Sequence, residues 1–269
     1  MISPARDVAF VARQVRYQNR LFWRTPIAAL FTVAFPLMFL VLFNVLLEGS
    51  IDASGGRSLT VVQFYAPSLA VFTVASATYT NLGIRTSIAR DDGVLKRFRG
   101  TPLPPWAYLA GRVVSAVWIA LIGVVVMLGV GALAFGLEIR AGTLGAAATA
   151  FLVGSASFAA LGLALAAVTP SADAAPAIAN FTILPLAFIS DVFLSLANPP
   201  GWLNTLGDVL PLKPFVTAFQ APFLPSSSPP AFEWGSIGVV ALWGIAGTVV
   251  ALRFFGWEPR GARSPRRRR

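Results

Sequence analysis

Asp91 and Asp92 are the only adjacent carboxylates in the chain. Paired carboxylates are what acid–base catalysis or a hydrolytic metal centre would use. Their neighbours argue against both, because Arg90, Lys96 and Arg97 flank them. There is no histidine to act as a metal ligand or as a base near neutral pH, and no cysteine for a thiolate site or a disulfide. Lysine occurs only at Lys96 and Lys213, and neither lies in a GxxxxGKS or GxxxxGKT phosphate-binding loop. A membrane-embedded group transferase is therefore poorly supported. No catalytic, metal or cofactor residue is assigned, and any nucleotide hydrolysis must come from another polypeptide.

The surroundings of the pair are hydrocarbon. Of the 269 residues 56% are hydrophobic and only 12% charged, with mean hydropathy +0.72. Soluble domains carry about a quarter charged residues, so this composition predicts an integral membrane protein. The apolar runs are long and continuous, which predicts helices and not a barrel. Six spans follow: Pro26–Leu47, Leu59–Gly83, Trp106–Gly136, Thr143–Val168, Ala174–Ala197 and Ser236–Gly256. Pro36, Pro67 and Pro185 fall inside spans and predict kinks. The fold class is thus an all-α integral membrane protein forming one domain over residues 1–269.

Cations set the orientation. Eighteen of the 21 Lys and Arg lie before the first span, in or just after the second connection, or at the C-terminal end. Only Arg57, Arg140 and Lys213 fall on the other side. This predicts cytoplasmic termini and an even number of spans. The net charge of +10 invites a nucleic-acid reading, but the cations flank apolar spans instead of forming a stripe on a soluble fold, so no nucleic-acid partner is expected. Residues 1–25 hold no signal-peptide core. Val8, Val11, Val15, Leu21 and Phe22 fall near one helical face there, which predicts a helix in the inner membrane interface. Residues 198–235 form an external segment of two short apolar pieces, "GWLNTLGDVL" and "KPFVTAFQAPF", expected to re-enter or cap the outer leaflet. Residues 257–269 are a basic cytoplasmic tail. Small residues in the fourth span, Gly154, Ser155, Ser157 and Gly162, invite close backbone approach.

Asp91 and Asp92 now have a place, in the cytoplasmic connection of residues 84–105. Ile84, Ile88, Leu95 and Phe98 share one helical face there, with Arg90, Asp91, Lys96, Arg97 and Arg99 around it. Such a short amphipathic helix sinks an apolar edge into a cleft while its charges grip the rim. The same cations also serve a plain solvated loop that only holds topology. Within the spans, Phe31, Phe35, Phe39 and Phe43 form an i, i+4 ridge, and Tyr65, Phe72 and Tyr79 repeat every seven residues. Phe35, Phe39, Asn44, Phe72, Tyr79 and Asn180 are candidates for a substrate path, and helix packing is the competing reading. The only acid inside a span is Asp191, about 25 Å along the fifth at ~1.5 Å per residue. That depth suits an outer gate better than a midplane proton carrier, so a secondary transporter is the weaker reading.

The stretch "DDGVLKRFRGTPLPPWAYLAGR", with "PPGWL" and "PLKPF" before the last span, resembles the membrane subunit of type-2 ABC exporters of the drug- and antibiotic-resistance kind. Ala89 stands where that pattern has an acid, and Asp91 is shorter than its usual Glu. The resemblance implies a permease with six spans, an N-terminal interfacial helix, a cytoplasmic coupling helix and external re-entrant helices. It implies a bacterial cell-membrane location, a partner ATPase that binds ATP and Mg, a second permease subunit, and membrane lipids around both. ATPase coupling would then rest on Ile88, Arg90, Asp91, Asp92, Gly93, Leu95, Lys96, Arg97, Phe98, Thr101 and Pro102. The implied substrate is an amphipathic drug, antibiotic or lipid-like molecule, with polysaccharide or glycolipid export as the alternative.

Overall fold

A computed structural model describes residues 4–47, 50–53, 57–95, 105–193 and 200–256. Helix α1 (Pro4–Trp23) leads into α2 (Pro26–Ala29), a π-helical turn (Leu30–Ala34) and α3 (Phe35–Leu46). A hairpin of β1 (Ser50–Ala53) and β2 (Arg57–Thr60) follows, with Ser50 opposite Thr60 and Ala53 opposite Arg57. Then come α4 (Val61–Ala75), a second π-turn (Ser76–Asn81) and α5 (Leu82–Asp91), joined in one helical rod. The chain continues through α6 (Pro105–Phe135), α7 (Leu144–Val168) and α8 (Ala174–Ile189). It ends with short helices α9 (Gly201–Val209) and α10 (Leu212–Gln220) and the long α11 (Trp234–Phe254).

The rod Val61–Asp91 is the centre of the bundle. Every residue from Phe64 to Thr78 is buried. A helix apolar on all sides has no reason to face water, and α3, α6, α7 and α10 surround this one. Several of its hydroxyls bond within the helix itself. Ser68, Thr73 and Thr78 donate to the carbonyls of Phe64, Leu69 and Val74 at 2.7, 2.9 and 2.7 Å. Thr60 caps the rod with Gln63 in a reciprocal box, each side chain bonding the other's backbone N–H.

Small residues decide how the helices cross. A Cβ on Gly162 of α7 would stand 2.5 Å from the Thr78 carbonyl oxygen, so the two backbones touch there. A Cβ on Gly244 of α11 would meet Ser157 Oγ at 2.5 Å, and one on Gly154 would enter the Phe215 ring. Of the small residues expected to permit close approach in α7, Gly154, Ser157 and Gly162 do so, against three different elements.

Several expectations change. Among the described residues, four helices are long and apolar enough to cross a membrane: Val61–Asp91, Trp106–Phe135, Ala141–Val168 and Trp234–Phe254. The first and fifth expected spans are shorter apolar helices, Leu30–Leu46 and Ala174–Ile189. The fifth stops eight residues before Ala197, because Asp191 takes a left-handed turn at φ 56°. The second runs eight residues past Gly83. The chain is also not purely helical; "SGG" between the two strands was the hairpin signal. Pro36 sits in the first turn of α3 directly after the first π-turn, where its missing N–H does little harm. The two apolar pieces expected on the external side do form helices, α9 and α10.

Candidate functional site

The end of the bundle that carries most of the cations is built around Arg90. Helix α7 ends at Val168 with carbonyls that have no partner within the helix. Arg90, at the end of α5, supplies one: its Nη1 donates to Ala166 O at 2.7 Å and its Nη2 to Thr169 O at 2.9 Å. A guanidinium at a helix C-terminus also meets the favourable end of the dipole. Its Nε donates to Asp91 Oδ1 at 3.0 Å, and Asp91 Oδ2 accepts from the Ala172 amide at 2.6 Å. The two residues staple the end of α5 to the α7–α8 connection.

This overturns part of the amphipathic-helix reading. Arg90 is 1% exposed and turned inward, not set at a surface rim. Leu95 is fully buried within the chain, whereas Ile88 is 39% exposed and Asp92 exposed. Gly93 adopts φ 69° and turns the chain, a conformation that suits only glycine without strain. Lys96, Arg97, Phe98, Thr101 and Pro102 lie outside the described residues.

Helix α1 packs here too, by a face the apolar pattern did not suggest. Among its residues from Phe10 on, Gln14, Gln18 and Phe22 are buried, whereas Leu21 is 41% exposed. Gln14 lies against Gly111, and Gln18 and Phe22 line a small cavity with Ser115 and Ile119. The matched spacing means that α1 runs alongside the first turns of α6 in the same direction. Arg112 does not reach outward to the interface. It is 6% exposed, donates to the Tyr108 hydroxyl at 2.9 Å and stands 5.3 Å from that ring. Arg85 stands 5.6 Å from the Phe22 ring.

The path candidates do not form one wall. The Phe31–Phe43 ridge exists, with successive ring centroids 5.9, 4.9 and 5.4 Å apart. Phe193 closes it, 5.4 Å from Phe39 and 5.0 Å from Phe72, and Tyr65 lies 4.4 Å from Phe43. Phe35, Phe39 and Phe72 thus belong to an aromatic cluster, the packing alternative. Asn44 bonds back to Leu40 O at 2.8 Å, and Asn180 is exposed on α8. Tyr79 differs. Its hydroxyl meets Thr182 Oγ1 at 2.6 Å beside a 160 Å³ cavity that Phe158, Leu186 and Trp243 also line. The π-turns meet as well, with Asn81 Nδ2 donating to Thr32 Oγ1 at 2.5 Å. Neither Thr182 nor Thr32 was legible as a partner, because hydroxyls in apolar helices ordinarily bond to their own backbone.

At the opposite end, Arg140 donates to the carbonyls of Ser227, at 2.8 Å, and Leu224. Lys213 pairs with Asp208 at 2.9 Å and donates to Asn204, which holds α9 against α10. Asp191 lies in the turn after α8, beside buried Val192 and Phe193.

Outside this core the helices are bare. Phe181 is 82% exposed, Leu133 92% and Leu252 81%. Surfaces of that kind belong in lipid or against another membrane chain. A family model described as ABC-2 type transporter matches residues 11–224. Daunorubicin resistance ABC transporter permease protein DrrB1 of Streptomyces coeruleorubidus is 29% identical over 222 residues, covering 80% of this chain and 76% of that protein. With most of its length matched, from the middle of α1 to the turn after α10, this multi-pass chain belongs to the ABC-2 type transporter family.

Proposed function

We propose that this permease is the translocation subunit of an exporter for an amphipathic drug or antibiotic, driven by a separate ATPase at the cation-rich end. Two permease chains form the path, with six membrane-crossing segments each and both termini in the cytoplasm. Leu30–Leu46 and Ala174–Ile189 supply the two shorter crossings, completed by their flanking segments.

The observation that carries this reading is the stapled rod. Val61–Asp91 runs through the middle of the bundle, and Arg90 and Asp91 tie its polar end to residues 166–172. A push on the segment after Asp92 is therefore delivered to two helices at once, α5 and the α7–α8 turn. From there it reaches the Tyr79–Thr182 contact, where the rod meets α8. Ile88 and Asp92 are the exposed groups that present this end to the ATPase, with Lys96, Arg97, Phe98, Thr101 and Pro102 beyond them. The substrate class draws support from the relative's name and from the aromatic lining near α8.

The test uses proteoliposomes containing this chain and its cognate ATPase. The expected outcome is ATP-dependent movement of an anthracycline that stops when the ATPase is omitted and ignores proton uncouplers. Ile88→Asp with Asp92→Arg should leave the chain inserted, yet abolish ATPase co-purification. Movement driven by a proton gradient without ATPase would sink the proposal, and ATP-driven movement of a lipid-linked saccharide but not the drug would replace its substrate.

A further inference from the structure

The outer side of the α1–α6 contact carries a groove of about 1010 Å³. Its floor is apolar, from Val11 and Val15 on α1 and Val114 and Trp118 on α6. Its rim is cationic: Arg16 and Arg20 on α1 and Arg24 just past its end follow at i, i+4 and i+8, one residue out of phase with Val15, Asn19 and Trp23. All three arginines are exposed, and none has an ion pair among the described residues.

The level of the groove follows from helix length. Trp106–Phe135 has 30 residues. At about 1.5 Å each this is ~45 Å, or ~15 Å more than a hydrocarbon core. Arg112 and the cations of α1 place that surplus at the start of α6. Trp106 then stands among headgroups, and Val114 and Trp118 where the acyl chains begin. Helix α1 descends beside them. With Gln18 beside Ser115 and Phe22 beside Ile119, Arg16 and Arg20 lie near the edge of the hydrocarbon and Arg24 about one turn deeper, and their long side chains reach back toward the headgroups. Trp23, Trp106 and Trp118 are each about half exposed along this boundary, at 51, 54 and 49%.

We infer that this groove binds an anionic phospholipid, with the phosphate on Arg16 and Arg20, Arg24 reaching back toward it, and an acyl chain descending over Val114, Trp118 and Trp23. Three unpaired cations beside bare hydrocarbon call for a ligand that is anionic at one edge and apolar along the other. A second copy of this chain does not fit: a two-fold contact across the groove would set arginine stripe against arginine stripe. Zwitterionic lipid satisfies the floor but brings no net charge to the rim. The inference rests on the membrane placement of the chain and not on the export proposal.

The full-length chain is reconstituted in phosphatidylcholine containing one-fifth phosphatidylglycerol, extracted gently, and its retained lipids are quantified by mass spectrometry. Retained lipid should be enriched in phosphatidylglycerol at least fivefold over the bulk. Arg16→Gln, Arg20→Gln and Arg24→Gln together should bring it within twofold of the bulk. Val15→Trp, which fills the floor and keeps every cation, should do the same, whereas Arg13→Gln, which removes a cation off the groove, should leave it unchanged. Enrichment that survives both groove changes overturns the inference. Displacement of the lipid by millimolar glycerol phosphate would overturn it too, by reducing the site to a headgroup pocket. So would loss of self-crosslinking in Val15→Trp with lipid unchanged, which would make the groove a protein interface.

Discussion

A single arginine decides the character of the cation-rich end. Arg90, itself buried, bonds two carbonyls at the end of α7 and the partly exposed carboxylate of Asp91. Hydrogen bonds to charged groups are worth ~1.5–3 kcal/mol each, so Arg90→Met should lower thermal stability of the purified chain by several degrees. Arg90→Lys should recover only part, since an ammonium cannot span both carbonyls. If the staple transmits force, Arg90→Lys should also raise the ATP consumed per molecule exported; an unchanged ratio would confine the residue to stability. Gly162 gives a second test. Its absent Cβ is what lets α7 touch the Thr78 carbonyl, so Gly162→Ala should cost ~1–3 kcal/mol by overpacking. Gly129 has open space at the same position, and Gly129→Ala should be neutral or slightly stabilising by helix propensity.

At the scale of elements, the two π-turns set this bundle apart from a set of plain rods. π-turns are rare and occur often at functional sites. Here one interrupts the first apolar helix and the other the central rod, and Asn81 joins them to each other through Thr32. A double-mutant cycle of Asn81→Ala and Thr32→Ala should give a coupling energy of ~0.5–1.5 kcal/mol in thermal or denaturant unfolding. Strict additivity would show that the contact contributes nothing. The second π-turn is also where Gly162 crosses, so a change of register there would be felt by α7 directly.

For the whole molecule, orientation and assembly each give a direct test. Reporter fusions at Gly93 and Pro225 should report opposite sides of the membrane, with Gly93 inside; a shared side would refute the topology. The chain has no cysteine, which makes it a clean background for crosslinking. Phe181 is 82% exposed on α8, and Phe188 on the same helix is 49% exposed. If α8 meets its counterpart in a second permease, Phe181→Cys should crosslink in membranes, while Leu133→Cys on α6 should not. The reverse pattern would move the subunit contact to α6.

The class, most helix positions and the family were legible in the sequence. Composition, long apolar runs and the uneven cations are properties of the chain before folding, and they follow from the cost of placing backbone and charge in hydrocarbon. The stretch from Arg90 to Arg112, with "PLKPF" later on, carried the family in plain residues. The tertiary structure alone decided what Arg90 does, because the carbonyls that it caps lie 76 and 79 residues away. It likewise decided that Tyr79 meets Thr182 across 103 residues, and that α1 turns its glutamines inward and its arginines to an open groove. Periodicity assigns a residue to a face of its own helix. Which neighbour that face meets depends on how the helices are rotated and how closely they cross, and here glycines far apart in the chain set those crossings.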